Sequence, residues 1–574
     1  MPVHDADMPH LLEIFRANRK PGSWHFQWLL LLLLACLQGV AAAQDLPGLR
    51  VPGFAELEAA GATIGEIRVV AREIFDTADP REDKWLFRWA NALHIRTRSG
   101  VIQRALLFKS GERVSVRLLD ETERLLRSNR YLYDVQFRAV AYHDGVVDIE
   151  VMTRDTWSLD PGVSAGRSGG ANSSGIHLGE YNLFGTGTAL SLGYSKNVDR
   201  SSNAVQFSND RAFGSWTALS YGHATNSDGS RDAVAIVRPF HALDARWSAG
   251  MTASKDNRVD AVYNAGTIAS QYRHRQELGE AFAGWSPGLV DGWVHRYSVG
   301  VSHQNDSYAT EPGLAAPTRL PTDEKRVGPF LRHALIEDRF ERELNRNLIG
   351  RPEFFALGLA SSVQLGWATT GLGSSRNAWL YAASLSRGFE PAAEQTLIAS
   401  ARVAGQVWAG QARRQHLGVR AQYYAPQGSS WLLYASAAGD ILHHPDVADT
   451  LLLGGDNGLR GYPLRYQSGT RRALFTLEER FYTDLYVWRL FRVGGAAFLD
   501  AGRAWGGDNR NATNAPNAPN TLKSGWLGNA GFGVRIVSAR AAFSNVLHVD
   551  LAFPFNAGND VKRLQFLVKT KTSF

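Results

Sequence analysis

"RLQFLVKTKTSF", Arg563–Phe574, decides the fold. Leu564, Phe566, Val568, Thr570, Thr572 and Phe574 alternate with Arg563, Gln565, Lys569 and Lys571. Successive side chains of an extended chain point to opposite faces, so this segment has one largely apolar face and one polar face. The same alternation recurs upstream in "TALSLGYSK" (188–196), "AVAIVRPF" (233–240), "HLGVRAQYY" (416–424), "GNAGFGVRI" (528–536) and "VLHVDLAF" (546–553). From Pro161 onward almost no helical periodicity is present. Instead, alternating segments of about 8–12 residues are separated by turn residues. Apolar outward and polar inward, strand after strand, is the pattern of a barrel that faces lipid and encloses water or polar side chains. Soluble sandwiches also alternate, and three features favour the membrane. The chain opens on a secretory signal, long polar loops such as 506–525 contrast with tight turns such as 425–430, and an aromatic ends the last strand.

That opening signal is Arg16, Arg19 and Lys20, then "WLLLLLLACLQGV" (28–40), then Ala41, Ala42 and Ala43. A charged region, a short apolar run and small residues at a cleavage site make a secretory leader, with cleavage expected after Ala43. The run falls short of the roughly 20 residues a spanning helix needs. Leu34-Ala35-Cys36 partly resembles a lipoprotein box, but Cys36 is read as part of the apolar run and lost with it. Cys36 is the only cysteine, so no disulfide is expected in the mature protein. A spanning protein without apolar helices must be a closed barrel, since nothing else satisfies its backbone groups in lipid.

The 574 residues suit more than one unit. The net charge of +7 is spread along the chain with no dense basic block, which argues against a nucleic-acid partner. Residues 44–61 read as a linker and residues 62–157 as a small α+β unit. "TIGEIRVV" (63–70) alternates as a strand, and "KWLFRWANALHI" (84–95) has helical spacing. "SVRLLDETERLLRSNRYL" (115–132) places Leu118, Leu119, Leu125 and Leu126 on one helical face, with Ser115 as N-cap. "DVQFRAVAY" and "VVDIEVMT" alternate around His143-Asp144-Gly145, a hairpin signal, with Val135, Phe137, Val147, Ile149 and Val151 on the buried side. The predicted order is β-α-α-β-β.

Within the barrel region, 158–574, one loop stands out: "LLLGGDNGLRGYPLRYQSGTRR", Leu451–Arg472, inside a connection of residues 441–472. A connection that long is functional or disordered. Its apolar content, Leu451, Leu452, Leu453, Leu459, Tyr462 and Leu464, predicts that it packs, folded back into the barrel. Other motifs are weak. Gly162-Val163-Ser164-Ala165-Gly166 matches a nucleophile elbow but lies in the predicted first barrel strand, where the required strand–turn–helix is missing. His443, His444 and Asp446 lack further ligands for a metal. No phosphate-binding loop, metalloprotease motif or dinucleotide fingerprint is found. No enzyme activity, metal or other cofactor is expected.

"GGDNGLRGY" resembles the lumen-loop signature of the outer-membrane assembly and translocation superfamily that includes the BamA and TamA barrels and the two-partner-secretion transporters. The matching residues are Leu459, Arg460, Gly461 and Tyr462. "FLDAGRAW" (498–505) resembles the family's strand motif through Phe498, Asp500 and Gly502, and "TLEERF" (476–481) the strand before it. "EYNLFGTGTAL" (180–190) resembles its early barrel turn through Asn182, Gly185 and Gly187. The unit before it resembles a POTRA domain, and Phe574 the C-terminal assembly signal. The resemblance implies a sixteen-stranded barrel, although the alternating segments number nearer twenty, and 332–358 is the hardest stretch to place. It also implies that Arg460 lies inside the barrel and pairs with carboxylates on the following strands.

Parity checks that independently. With Phe475, Leu477 and Phe481 facing lipid, Thr476, Glu478 and Arg480 face inward, and Leu499 and Trp505 outside put Asp500 inside. An arginine in a confined lumen requires an acid partner, and its planar fork takes a carboxylate with two hydrogen bonds. Whether Glu478, Asp500 or both hold Arg460 stays open at this point.

The resemblance implies a protein that inserts or moves other proteins at the outer membrane of a Gram-negative bacterium, with the POTRA domain in the periplasm. Its partners would be outer-membrane lipid, unfolded or secreted protein clients, and a periplasmic or inner-membrane protein reached through POTRA. Clients would meet the POTRA sheet edge and the seam between the first strand, near Val163–Arg167, and the last, near Arg563–Phe574. The alternatives are a dedicated two-partner-secretion-type transporter of one partner protein and a passive porin or receptor barrel.

Overall fold

The computed structural model describes residues 51–506, 525–540 and 545–571. The predicted leader and its cleavage site, most of the polar loop 506–525 and the terminal Phe574 lie outside those residues.

The N-terminal unit starts with helix α1 (Phe54–Ala59) and strand β1 (Thr63–Arg72). Helices α2 (Trp85–Leu93), α3 (Ser99–Gln103) and α4 (Val116–Arg127) follow, then the hairpin β2 (Leu132–His143) and β3 (Val146–Asp155). β3 is the central strand, parallel to β1 and antiparallel to β2. The hairpin turns at Asp144-Gly145, both at positive φ, as a two-residue loop requires. Val135, Val147, Ile149 and Val151 are buried with Leu119 and Leu126 of α4, and Phe137 packs beside them. The amphipathic face of α4 thus closes one side of the sheet, and this burial holds the unit together. Ser115 stands at the N-cap without a side-chain bond. Instead the Glu58 carboxylate of α1 accepts from the Val116 N–H at 3.1 Å.

The chain leaves β3 directly into the first barrel strand, Leu159–Ser168. An antiparallel meander then runs to the last strand, Gln565–Lys571, which pairs back with the first. Among the described residues the closed barrel has twenty strands, with a two-residue strand, Leu289–Val290, paired at one turn. The sixteen strands implied by resemblance are therefore corrected to twenty. The alternating segments count because each has a strand neighbour on both sides, the first and last meeting at a short seam. Outward positions carry the apolar side chains: Phe475, Leu477, Leu499, Phe532 and Phe566 are exposed, whereas Glu478, Arg480, Asp500, Arg535 and Gln565 are buried. No helix among the described residues is long and apolar enough to cross a membrane.

Barrel diameter grows with strand number, and two insertions fill one side of this lumen. From the end away from the N-terminal unit comes the connection between Trp431–His443 and Arg471–Val487, pinned by a small pairing of Leu451–Leu453 with Gln467–Gly469. From the domain end comes the hairpin Phe340–Leu344/Pro352–Ala356. This hairpin is the reason 332–358 resists placement by alternation: its first part completes the strand Glu324–Glu337, and the rest is not barrel wall. Elsewhere, between strands of residues 188–238 and the N-terminal unit, the lumen keeps a polar cavity of about 1040 Å³.

Candidate functional site: the lumen loop and the barrel seam

The backbone of 454–462 is shaped by close approach. A Cβ on Gly461 would sit 2.7 Å from that of Asn529, and one on Gly455 would sit 2.4 Å from the Tyr462 carbonyl oxygen. Glycine is required at both places because nothing larger fits. Leu459 and Tyr462 are fully buried with Leu453, Tyr466, Ala504, Leu527 and Val561. This small apolar core binds the loop to the barrel wall. Tyr462 donates its hydroxyl to the Phe555 and Gly528 carbonyls, and Tyr466 donates to Asp560 at 2.9 Å.

Arg460 lies between the acids. Its Nε and Nη2 donate to the two oxygens of Asp500 at 2.8 and 2.7 Å, and its Nη1 donates to Glu478 at 2.7 Å. Both acids that parity placed inside hold it. Asp550 lies at 4.0 Å, and the Phe498 ring lies 3.4 Å beneath the guanidinium. Phe498 therefore stacks on Arg460, a cation–π contact strengthened by desolvation. Asp500 also accepts from Thr476 and Asn529, and Asn529 in turn accepts from the Gly461 N–H at 3.0 Å. Fork geometry and saturated acceptors are the conditions under which a buried ion pair recovers its desolvation cost. Gly502 lies against Leu453 and Leu474, where a Cβ would crowd both at 3.2–3.3 Å.

Sequence reading missed how this cluster continues. Glu478 accepts a second arginine, Arg480, at 3.0 Å. Arg480 Nη1 and the Tyr482 hydroxyl both donate to the Arg346 carbonyl, at 2.8 and 2.9 Å. Arg346 sits at the tip of the domain-side hairpin, whose Ile349 is buried against Tyr424, Tyr434 and Tyr482. Glu353 ties the tip by accepting the N–H groups of Arg346, Asn347 and Leu348. Arg124 of α4 stacks on Phe340 at the hairpin base, 4.2 Å from its centroid. One unbroken set of contacts therefore runs from α4 through the hairpin to Arg480, Glu478 and Arg460.

The seam is the thinnest wall. Among the described residues the last strand bridges the first at one residue pair, Val568 with Arg167, while the first pairs with its other neighbour at ten positions. The loop spans this gap. The Gly455 carbonyl accepts from Ser168 of the first strand at 2.6 Å and from Lys569 of the last at 2.7 Å. Farther along, Arg465 grips Asp199, in the connection after strand Thr188–Lys196, with two bonds of 2.7 and 2.6 Å. The guanidinium holds the Asp199 carboxyl below the usual carboxylate range.

The early turn joins barrel to domain. Asn182 is buried, donates to Thr97 at 2.8 Å and accepts from the Gly187 N–H at 2.8 Å. Thr97 donates to Asp155, which also meets His94 at 2.9 Å. Gly185 and Gly187 have positive φ, and a Cβ on Gly185 would strike the Arg96 carbonyl at 2.3 Å. Ser164 is exposed in the middle of the first strand, next to Val163 at 85% exposure, with no base beside it in the described contacts. No group of three or more potential metal ligands occurs among the described residues.

Solved structures similar to the chain include BamA from Haemophilus ducreyi lacking POTRA domains 1–3 (13% identity, TM-score 0.38, covering 89% of this chain and 85% of that one). CdiB from Acinetobacter baumannii is similar at 13% identity and a TM-score of 0.39, covering 95% and 97%. CdiB from Escherichia coli is similar at 13% identity and a TM-score of 0.45, covering 89% and 76%. No curated protein matches in sequence. The model of the Omp85 superfamily domain matches residues 182–574, from the early turn through the lumen loop to the last strand. With that match over well more than half its length, the chain belongs to the Omp85 superfamily, which together with its large β-barrel points to a Gram-negative outer membrane.

Proposed function

We propose that this protein assembles or inserts other proteins at the outer membrane, using the seam between its first and last barrel strands as the client site. The observation that carries the reading is that one pair, Val568 with Arg167, bridges the seam among the described residues, beside a loop carbonyl that accepts from both edges. An edge with unpaired N–H and C=O groups is a template for an incoming strand. The Arg460 cluster fixes the loop, and the loop clasps the two edges through Gly455. Release of the clasp would free both edges together.

The N-terminal unit, read as a POTRA-like domain in the periplasm, has in β2 a sheet edge paired on one side only, suited to holding a client strand before transfer. Movement through the lumen on the seam side would require displacing both insertions, which supports the seam as the route. A transporter dedicated to one partner protein is the second reading, favoured by the polar cavity beside strands 188–238.

The test is a reversible lock. Arg167→Cys and Val568→Cys, in a Cys36→Ser background, are placed at a bridged antiparallel pair, close enough for a disulfide. Oxidised protein is expected to lose assembly of other barrels and to regain it on reduction. Unchanged assembly with the seam locked overturns the proposal. Loss confined to one secreted protein selects the transporter.

A further inference from the structure

Helix α2 has two apolar faces. Phe87 points inward, buried with Ile74, Phe75, Trp157 and Leu490 and stacked on Phe75 at 4.1 Å. Asn91 exchanges two hydrogen bonds with the Phe75 backbone, and His94 meets Asp155. At 100° per residue, positions 87, 91 and 94 define the inner side, and Trp85, Trp89 and Leu93 cluster on the opposite one. Those three are 68%, 63% and 65% exposed, with Leu86 and Ile95 exposed beside them. Two tryptophans and a leucine turned to water on one short helix call for a partner.

The helix is fixed to the barrel at both ends. After it, the Arg98 N–H donates to the Gly185 carbonyl and its Nε to the Phe184 carbonyl, both at 3.0 Å. Before it, Glu82 pairs with Arg540 at 2.5 Å, and Phe87 meets Leu490. These anchors are domain-side turns of the barrel on either side of the first and last strands. Phe184 and Trp488, on the turns at 184–187 and 488–490, are themselves largely exposed. Aromatic residues at the rim of a lipid-facing strand band mark the membrane–water interface.

We infer that α2 is a membrane-interface helix: Trp85, Trp89 and Leu93 enter the bilayer leaflet nearer the N-terminal unit and extend the barrel's lipid-facing surface beneath the seam. The occupant is phospholipid of no particular charge. Arg81, Arg88 and Arg96 near the helix are already paired with Asp79, Asp83 and Glu73, so apolar insertion rather than anion attraction supplies the binding. The inference needs the barrel in a bilayer but not the seam as a client route, so it stands or falls independently of the lock experiment above.

The test uses the full chain in phosphatidylcholine vesicles, with Cys36→Ser and one engineered cysteine carrying an environment-sensitive fluorophore. A label on Leu93→Cys is expected to be quenched by bromine on the lipid acyl chains and shielded from aqueous iodide. A label on Arg88→Cys, on the polar side, is expected to show the reverse. Adding Trp85→Glu and Trp89→Glu should move the Leu93 label into water while the barrel keeps its folded electrophoretic mobility. Equal access of iodide to both labels overturns the inference. So does shielding of position 93 that appears only when unfolded client protein is added, or only as protein concentration rises. Persistence of bromine quenching after the two glutamates are introduced also overturns it.

Discussion

The lumen loop and the domain-side hairpin enter the same barrel from opposite ends and are held by different physics. The loop is held by charge added to its small apolar core: Arg460 takes two carboxylates and an aromatic face, and Arg465 takes Asp199. The hairpin is held by shape and backbone: Ile349 packs among tyrosines, and the Arg346 carbonyl accepts from Arg480 and Tyr482. Removing one member of a buried ion cluster leaves charges uncompensated, whereas removing one contact of a packed hairpin leaves the others in place. The loop should therefore respond to single substitutions in an all-or-none way, and the hairpin should give gradually.

The sharpest break is Arg460→Ala, which leaves Glu478 and Asp500 buried beside each other at a cost of about 3–5 kcal/mol. The loop is expected to leave the wall and client assembly to fail, while the barrel still reaches the membrane. Hydrogen exchange over residues 451–466 measures the first, and an assembly assay measures the second. Normal exchange and normal assembly in both Arg460→Ala and Asp500→Ala would refute the role given to the cluster.

Arg480→Met tests whether the two insertions are coupled. It removes charged hydrogen bonds to Glu478 and the Arg346 carbonyl, each worth about 1.5–3 kcal/mol. Exchange is expected to rise at the hairpin tip, 345–350, with a smaller rise in the loop. A rise confined to the loop would mean that the hairpin does not depend on this contact.

Lys569→Met removes one of the two donors to the Gly455 carbonyl, a single charged hydrogen bond worth about 1.5–3 kcal/mol. The expected result is faster cross-linking of a probe on the first strand to an added peptide strand, with loop exchange nearly unchanged.

The smallest effect concerns pH. The folded Asp199 carboxyl is depressed by Arg465, so the docked loop binds fewer protons than the undocked one. Its contribution is complete above the ordinary carboxylate value of about 3.9 and is lost as pH falls through the lower docked value. Exchange in 463–467 should therefore rise on acidification toward about pH 3, and Asp199→Asn should flatten that dependence.

The same contrast explains what could be read in advance. The loop announces itself through glycines, a lone arginine and acids of matching parity on the next two strands, all within about fifty residues, because strand alternation is strictly local. That both acids share Arg460 was beyond parity, which gives the side a residue faces and not its distance. The hairpin gives no such signal: Glu353 and Asn345 satisfy its own backbone, and Arg480 reaches it from 134 residues away. The strand number misled in the other direction, since resemblance implied sixteen where local alternation counted nearer twenty.

By itself the sequence determined the barrel, the inward faces of the strands that carry Glu478 and Asp500, and the arginine with its candidate acids. Each follows from the period of two in an extended chain and the cost of burying charge alone. Only the tertiary structure decided that, among the described residues, the sheet closes with twenty strands and its seam rests on one bridged pair and a shared carbonyl, and that two insertions meet at Glu478 and Arg480. It also decided that α2 lies across the barrel's foot with its tryptophans outward. These are long-range arrangements fixed by packing, and packing partners far apart in the chain leave no local period to read.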